Sequence, residues 1–151
     1  MRFIAVFGLG FGDEGKGHVV DYLCSRHPNP LVVRFSGGSQ AGHHVVTDDF
    51  DHVCSNFGSG TLRGVPTFWS RFCPLSPHAL LVERDVLLNK GINPTTYISA
   101  YTPLISPYEV SYNASNELIN AHGTCGVGIF PTVQRERDHY HLLFEDIFHI
   151  T

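Results

Sequence analysis

Cationic charge is scarce in this sequence: 10 Lys and Arg stand against 14 Asp and Glu among 151 residues, for a formal net charge of −4 at pH 7. A chain of that balance has no basic footprint for nucleic acid, and none is expected as a partner. Long apolar runs are missing as well. Nothing approaches the ~18 consecutive apolar residues of a membrane-spanning helix. The apolar stretch behind Met1 is too short for a secretory signal and runs straight into glycines. Cysteine is sparse and unpatterned. Cys24, Cys54, Cys73 and Cys125 form no C-x-x-C pair, which argues against a zinc module or disulfide framework and for reduced thiols in the cytoplasm. There is no internal repeat, linker or low-complexity segment. What remains is ordinary globular composition, 42% hydrophobic and 16% charged, at the length of one domain.

The pattern of elements predicts an α/β fold with a mostly parallel sheet. Residues 2–7, Arg-Phe-Ile-Ala-Val-Phe, are β-prone and end in glycines, which predicts a buried first strand. Residues 15–26 predict a helix stopped by Pro28, and residues 31–35, Leu-Val-Val-Arg-Phe, a second buried strand. Together they read as a βαβ unit. Val45–Thr47 and His52–Phe57 flank the turn Asp48–Asp51 and predict a hairpin. Ser76 as N-cap with Pro77 at N1 opens a helix that stops at Gly91, residues 95–99 predict a strand, and Ser106-Pro107-Tyr108-Glu109 is a capping box opening another helix. Leu142 to Ile150 is too apolar for a solvated tail; with Phe68, Trp69 and Phe72 it predicts self-association.

The strongest local signal lies between the first strand and the first helix: Gly8-Leu9-Gly10-Phe11-Gly12-Asp13-Glu14-Gly15-Lys16-Gly17. Gly10, four residues, then Gly15-Lys16 matches most of a P-loop, G-x-x-x-x-G-K-S/T. Glycines let backbone N–H groups approach phosphate oxygens, the helix N-terminus adds partial positive charge, and Lys16 adds a full one. Gly17 stands where the magnesium-binding hydroxyl of that motif belongs. Gly10-x-Gly12-x-x-Gly15 also satisfies the dinucleotide fingerprint, but the second strand ends in Arg34-Phe35-Ser36 and offers no acidic residue there. A glycine turn without ligand is the third reading of the loop.

Gly12-Asp13-Glu14-Gly15-Lys16-Gly17 with Val20-Asp21 resembles the opening of the adenylosuccinate synthetase family, whose first loop is G-D-E-G-K-G. Val33-Arg34, Gly37-Gly38 and Ala41-Gly42-His43 are similar to its V-R-x-x-G-G-x-N-A-G-H-T, and Gly123-Thr124-Cys125-Gly126-Val127-Gly128-Ile129-Phe130-Pro131 to its G-T-T-G-R-G-I-G-P. The resemblance implies an enzyme that joins IMP and aspartate at the expense of GTP, with Mg²⁺ as cofactor, as a homodimer in the cytoplasm. It covers residues 3–131 and implies that residues 1–151 are the N-terminal part of that enzyme, with no second domain. The family's aspartate-binding loop and guanine-reading segment lie further downstream.

By the same resemblance, Asp13 is the base that takes the N1 proton of IMP, and His43 stabilises phosphoryl transfer. GTP is assigned to Gly12, Asp13, Glu14, Gly15, Lys16, Gly17 and His18, with Gly42, His43 and His44. IMP, or a related purine monophosphate, is assigned to Asp13, Glu14, Gly15, Lys16, Gln40, Ala41, Gly42, His43 and Thr124. Mg²⁺ is assigned to the Asp13 carboxylate and the Gly42 carbonyl. The sequence departs from the pattern at Gln40 (Asn in the family), His44 (Thr), Val127 (Arg) and Phe130 (Gly). The arginine that reaches a neighbouring subunit's nucleotide aligns with His139, with Arg135 and Arg137 upstream. Two other readings stand beside the enzyme: a diverged or truncated paralogue that binds a nucleotide without completing a reaction, and a generic P-loop phosphotransferase.

Other residues have plainer readings. His43-His44 and His139-x-His141 are the only close histidine pairs and lack a carboxylate or cysteine at ligand spacing. His18, His27, His52, His78 and His149 read as solvated or locally satisfied. Asp48, Asp49 and Asp51 fit a hairpin turn better than a calcium loop, Phe68 and Trp69 read as core or interface, and Cys125 as a small buried residue.

Overall fold

The computed structural model describes residues 2–120 and 125–149, with the backbone alone for residues 117–120. Three short strands form a parallel sheet: β1 (Val32–Arg34), β4 (Thr67–Trp69) and β5 (Thr96–Ile98), in the order β1-β4-β5. The register is Val33↔Phe68 and Phe68↔Tyr97. β2 (His43–Val46) and β3 (Asp51–Cys54) form a separate antiparallel hairpin across the expected turn. The helices are α1 (Lys16–Arg26), α2 (Pro77–Asn89), α3 (Pro107–Asn120) and α4 (Ile129–Arg137).

The capping signals act as expected. Ser76 Oγ accepts from the Ala79 N–H, with Pro77 at the first position of α2. At α3 the capping box closes reciprocally: the Ser106 N–H donates to Glu109 Oε2 at 2.6 Å, and the Glu109 N–H to Ser106 Oγ at 3.4 Å. β4, α2 and β5 make the parallel crossover unit of the sheet.

The expected strand at residues 2–7 is not formed, and neither is the βαβ unit that would begin with it. Residues 2–8 have no regular structure, and Phe3 and Phe7 are 82% and 72% exposed. A β-prone run becomes a strand only when another strand takes its N–H and C=O groups. Among the described residues β1 pairs with β4 alone, so no ladder forms with this segment.

The central strand is β4, which buries Trp69 completely. Trp69 packs with Cys73, Leu75 and Leu104, and Leu142 and Phe144 close over that cluster. The Phe144 N–H donates to Thr102 O at 2.9 Å, and the Leu104 N–H to Leu142 O at 2.8 Å. The apolar C-terminal stretch therefore caps its own core over these residues, while Phe72 and Phe148 stay exposed. α4 begins at Ile129 after Gly128, whose φ of +83° and close approach to Ile105 and Val110 leave no place for a Cβ. Cys125 is exposed rather than buried: it lies in the irregular lead-in to α4, with no neighbouring layer over it. No described helix is long and apolar enough to cross a membrane.

Candidate functional site

The first loop leaves the N-terminus of α1 without a side-chain cap. Gly15 sits at the N-cap with φ +70° and no side chain caps the helix, so the first-turn N–H groups lack a side-chain partner. Gly12 and Asp13 also have positive φ, +112° and +52°. Asp13 is exposed, and its carboxylate makes no hydrogen bond or ion pair among the described residues. Glu14 behaves oppositely. Its Oε1 accepts the Leu9 and Gly10 N–H groups at 2.8 and 2.6 Å, and its Oε2 pairs with Lys16 Nζ at 2.8 Å. Lys16 and the Gly10 amide hold its carboxyl below the ordinary range.

The second loop leaves β1 and returns as β2. Arg34 at the end of β1 is 7% exposed and organises it. Its guanidinium lies 4.9 Å from the Trp69 ring centre, and its Nη2 donates to Gly38 O at 3.0 Å. The Cys73 thiol donates to Gly37 O at 3.3 Å. Gly38 abuts the Ile129 side chain, so the second and third glycine blocks meet. Gln40 and Gly42 are exposed at the loop's crest.

α1 packs on β2 at one tight point. A Cβ on Gly17 would lie 3.0 Å from His43 Cβ and 3.1 Å from His44 O. That contact brings the two loops together, and any side chain at position 17 would require β2 to give by a few tenths of an ångström at His43 and His44. Lys16, Arg34 and His43 line one cavity of about 330 Å³ with Val6, Phe7 and Val32. His43 is half-buried, and burial first, then the positive charges of Arg34 and Lys16, lower its pKa from 6.5. Its neutral imidazole can donate one hydrogen bond without carrying charge. In an NMR titration His43 is expected to protonate below pH 6.5, and Lys16→Ala to raise that midpoint. The sign for stability follows: as pH falls below 6.5, the unfolded chain takes up this proton first, so folding is weakened on the acid side. A midpoint at 6.5 or above in the wild type would contradict the burial of this ring.

Asp13, Gly15, Lys16, Gly17, Gly42 and His43 are thus on facing loops. His18 is exposed on α1, and His44 is engaged across the hairpin by Asp51 Oδ1 at 2.7 Å. Thr124 lies outside the described residues. Arg135 is committed elsewhere, to Glu109 Oε1 at 2.6 Å, Leu104 O at 2.7 Å and Tyr140 O at 2.8 Å. His139 is exposed after α4 with φ +63°.

The profile of the adenylosuccinate synthetase family matches residues 5–151. The chain belongs to the adenylosuccinate synthetase family. It is 36% identical over 155 residues to the adenylosuccinate synthetase of Blochmanniella pennsylvanica, covering 99% of this chain and 35% of that protein. It is 38% identical to that of Thioalkalivibrio sulfidiphilus over 154 residues, 98% of this chain and 35% of the relative. The chain therefore spans about a third of the length of these relatives. In fold it is similar to the fully ligated adenylosuccinate synthetase of Plasmodium falciparum, with a TM-score of 0.76 at 21% identity, over 89% of this chain and 32% of that one. It is also similar to a succinoaminodeoxyadenylate synthetase of cyanophage S-2L bound to dGMP and dATP, with a TM-score of 0.65 at 18% identity, over 93% of this chain and 40% of that one.

One cluster escaped the sequence because β3 and α2 supply it from 29 or more positions apart. His52, Cys54 and Glu83 are buried with their ligand-type atoms within 4.8 Å of one another. The carboxylate is already saturated. Glu83 Oε2 accepts the Asn56 N–H at 2.6 Å and Asn56 Nδ2 at 2.9 Å, and both oxygens face the Ser55 N–H at 3.2 Å. Lys90 Nζ stands 3.4 Å from His52 Nδ1, and His52 Nε2 faces Glu83 Oε1 at 3.3 Å. Burial and Glu83 push the Cys54 thiol up to about 12, where it keeps its proton. Through Glu83 the cluster is a buried hydrogen-bonded node that ties hairpin to helix.

Proposed function

We propose that this chain carries the phosphate-handling and phosphoryl-transfer part of a GTP-dependent ligase that joins IMP and aspartate into adenylosuccinate in purine biosynthesis. The observation that carries the reading is the convergence of an uncapped helix N-terminus, Lys16 and a neutral-leaning His43 on one cavity, with an unpaired Asp13 on the same loop.

The roles follow from those environments. Asp13 takes the N1 proton of IMP, O6 attacks the γ-phosphorus of GTP, and the bond to the β-phosphate oxygen breaks as GDP leaves. Lys16 and the α1 amides bind phosphate oxygens, and the His43 N–H donates to the transferring group, where charge accumulates. The aspartate amine then attacks C6, and O6 departs with the phosphate. The donor set fits Mg²⁺, because the Asp13 carboxylate and the Gly42 carbonyl are hard oxygens that leave positions for water and phosphate. The ion would neutralise phosphate charge and orient the transferring group. The working enzyme is a cytoplasmic homodimer in this reading.

Calorimetry tests the binding half. Wild-type protein with Mg²⁺ is expected to bind guanine or inosine nucleotides, and Lys16→Ala to weaken them about tenfold or more, since a charge-assisted hydrogen bond contributes ~1.5–3 kcal/mol. Equal affinities, or no binding by wild type, would remove the phosphate loop from the account. A preference for dGMP over IMP in the same experiment would redirect the substrate assignment, with Gln40 and His44 as the positions that differ from the family pattern.

A further inference from the structure

We propose that Glu14 is an internal stand-in for the substrate phosphate: its carboxylate occupies the anion position of the first loop and leaves when a phosphoryl group binds. This rests on the phosphate-loop reading and adds a residue that sets the loop's affinity.

The geometry is specific. One carboxylate takes two successive loop amides, Leu9 N–H at 2.8 Å and Gly10 N–H at 2.6 Å, and the loop's only lysine, Lys16, at 2.8 Å. These are the donor types that a phosphate loop offers its ligand: backbone N–H groups converging on one oxygen, and an ammonium on the next. The loop leaves room for the group only because position 8 is glycine. A Cβ on Gly8 would collide with Glu14 Oε2 and lie 2.8 Å from Lys16 Nζ, so glycine at position 8 is what lets the carboxylate in. The neighbouring acid makes the contrast, because Asp13 takes no hydrogen-bond or ion-pair partner among the described residues. Two acidic side chains in a phosphate loop look self-defeating in the sequence. Here one of them is neutralised by the lysine and the other is left for chemistry.

A phosphoryl group reaching Leu9, Gly10 and Lys16 meets Glu14 there first. Both ligands want the same donors, and both are anions, so they exclude each other. Binding is then an exchange, and the observed affinity is the intrinsic affinity reduced by the fraction of molecules in which the carboxylate has left. The family resemblance counts Glu14 among nucleotide-binding residues and implies that its loss weakens binding. The geometry implies the reverse.

The probe is inorganic pyrophosphate at fixed Mg²⁺, titrated by calorimetry into wild type, Glu14→Gln and Glu14→Ala. Both variants are expected to bind about three- to tenfold more tightly than wild type. Amide NMR of the same proteins without ligand gives an independent reading: the Leu9 and Gly10 resonances should move in Glu14→Ala, because their acceptor is gone. Wild-type binding with equal or weaker binding by the variants would overturn the stand-in and leave the phosphate loop intact. Unmoved Leu9 and Gly10 resonances would overturn it too. Failure of all three proteins to bind would overturn the phosphate-loop reading itself, and variants that bind where wild type does not would support the stand-in most directly.

Discussion

Asp13→Asn is expected to lower the rate of adenylosuccinate formation by about 10²–10⁴-fold, the range for one general base. The clean vehicle is a full-length relative in which this chain replaces the matching segment, assayed with IMP, aspartate and GTP. Asn keeps the size and exposure of Asp13 but cannot take the N1 proton and is a poorer ligand for a hard cation. The fold should not change, because the carboxylate makes no hydrogen bond or ion pair among the described residues. His43→Ala should cost about 10²–10³-fold in kcat by removing one preorganised donor, and the double variant should cost less than the product of the two. An Asp13→Asn chimera with near wild-type turnover would refute the assignment. A wild-type chimera that binds nucleotide and forms no product would favour the paralogue reading.

Glu83→Ala is expected to be strongly destabilising, at about 1–3 kcal/mol for each buried donor it leaves unsatisfied. The alanine would leave the buried Asn56 N–H and the part-buried Ser55 N–H without their acceptor, would leave the Asn56 amide only Ala79 O at 3.2 Å, and would open space between β3 and α2. Urea denaturation with a common slope for both proteins measures it. A loss below about 1 kcal/mol would mean that water takes over those donors and that the node is not structural. The same protein answers the metal question: excess Zn²⁺ should not raise the melting temperature of wild type, because a metal would have to displace the proton from Cys54 and several short hydrogen bonds from Glu83. A rise abolished by Cys54→Ser would make the cluster a metal site.

Local chemistry was legible where one short stretch decides the outcome. Ser76-Pro77 and Ser106-Pro107-Tyr108-Glu109 cap the helices they announce, and the Asp48–Asp51 turn makes its hairpin. The failures are long-range. Residues 2–7 have strand composition but no ladder among the described residues, and composition cannot report whether a neighbour exists. β4 is only three residues between Pro66 and Ser70, too short to show alternation, yet it is the centre of the sheet. α4 was hidden by Pro131, which a helix tolerates in its first turn because the missing N–H would have no intrahelical partner there. Arg34 was visible as part of a motif, but its role as a brace against Trp69 and Gly38 needed the fold. Glu83 left no signal at all, since its partners sit 27 to 31 residues away.

The close contact between Gly17 and His43 constrains any descendant of this sequence. Acquiring the serine or threonine of an ordinary P-loop would add a hydroxyl at the start of α1, but its Cβ would press on His43 and the His44 carbonyl, and β2 would have to give by a few tenths of an ångström. The hydroxyl and the present seat of His43 therefore press on one place in space. A sequence bearing Ser or Thr at position 17 together with an intact Ala41-Gly42-His43 should carry a compensating adjustment of the second loop, which gives a criterion for sorting true relatives from chance matches to the first loop alone.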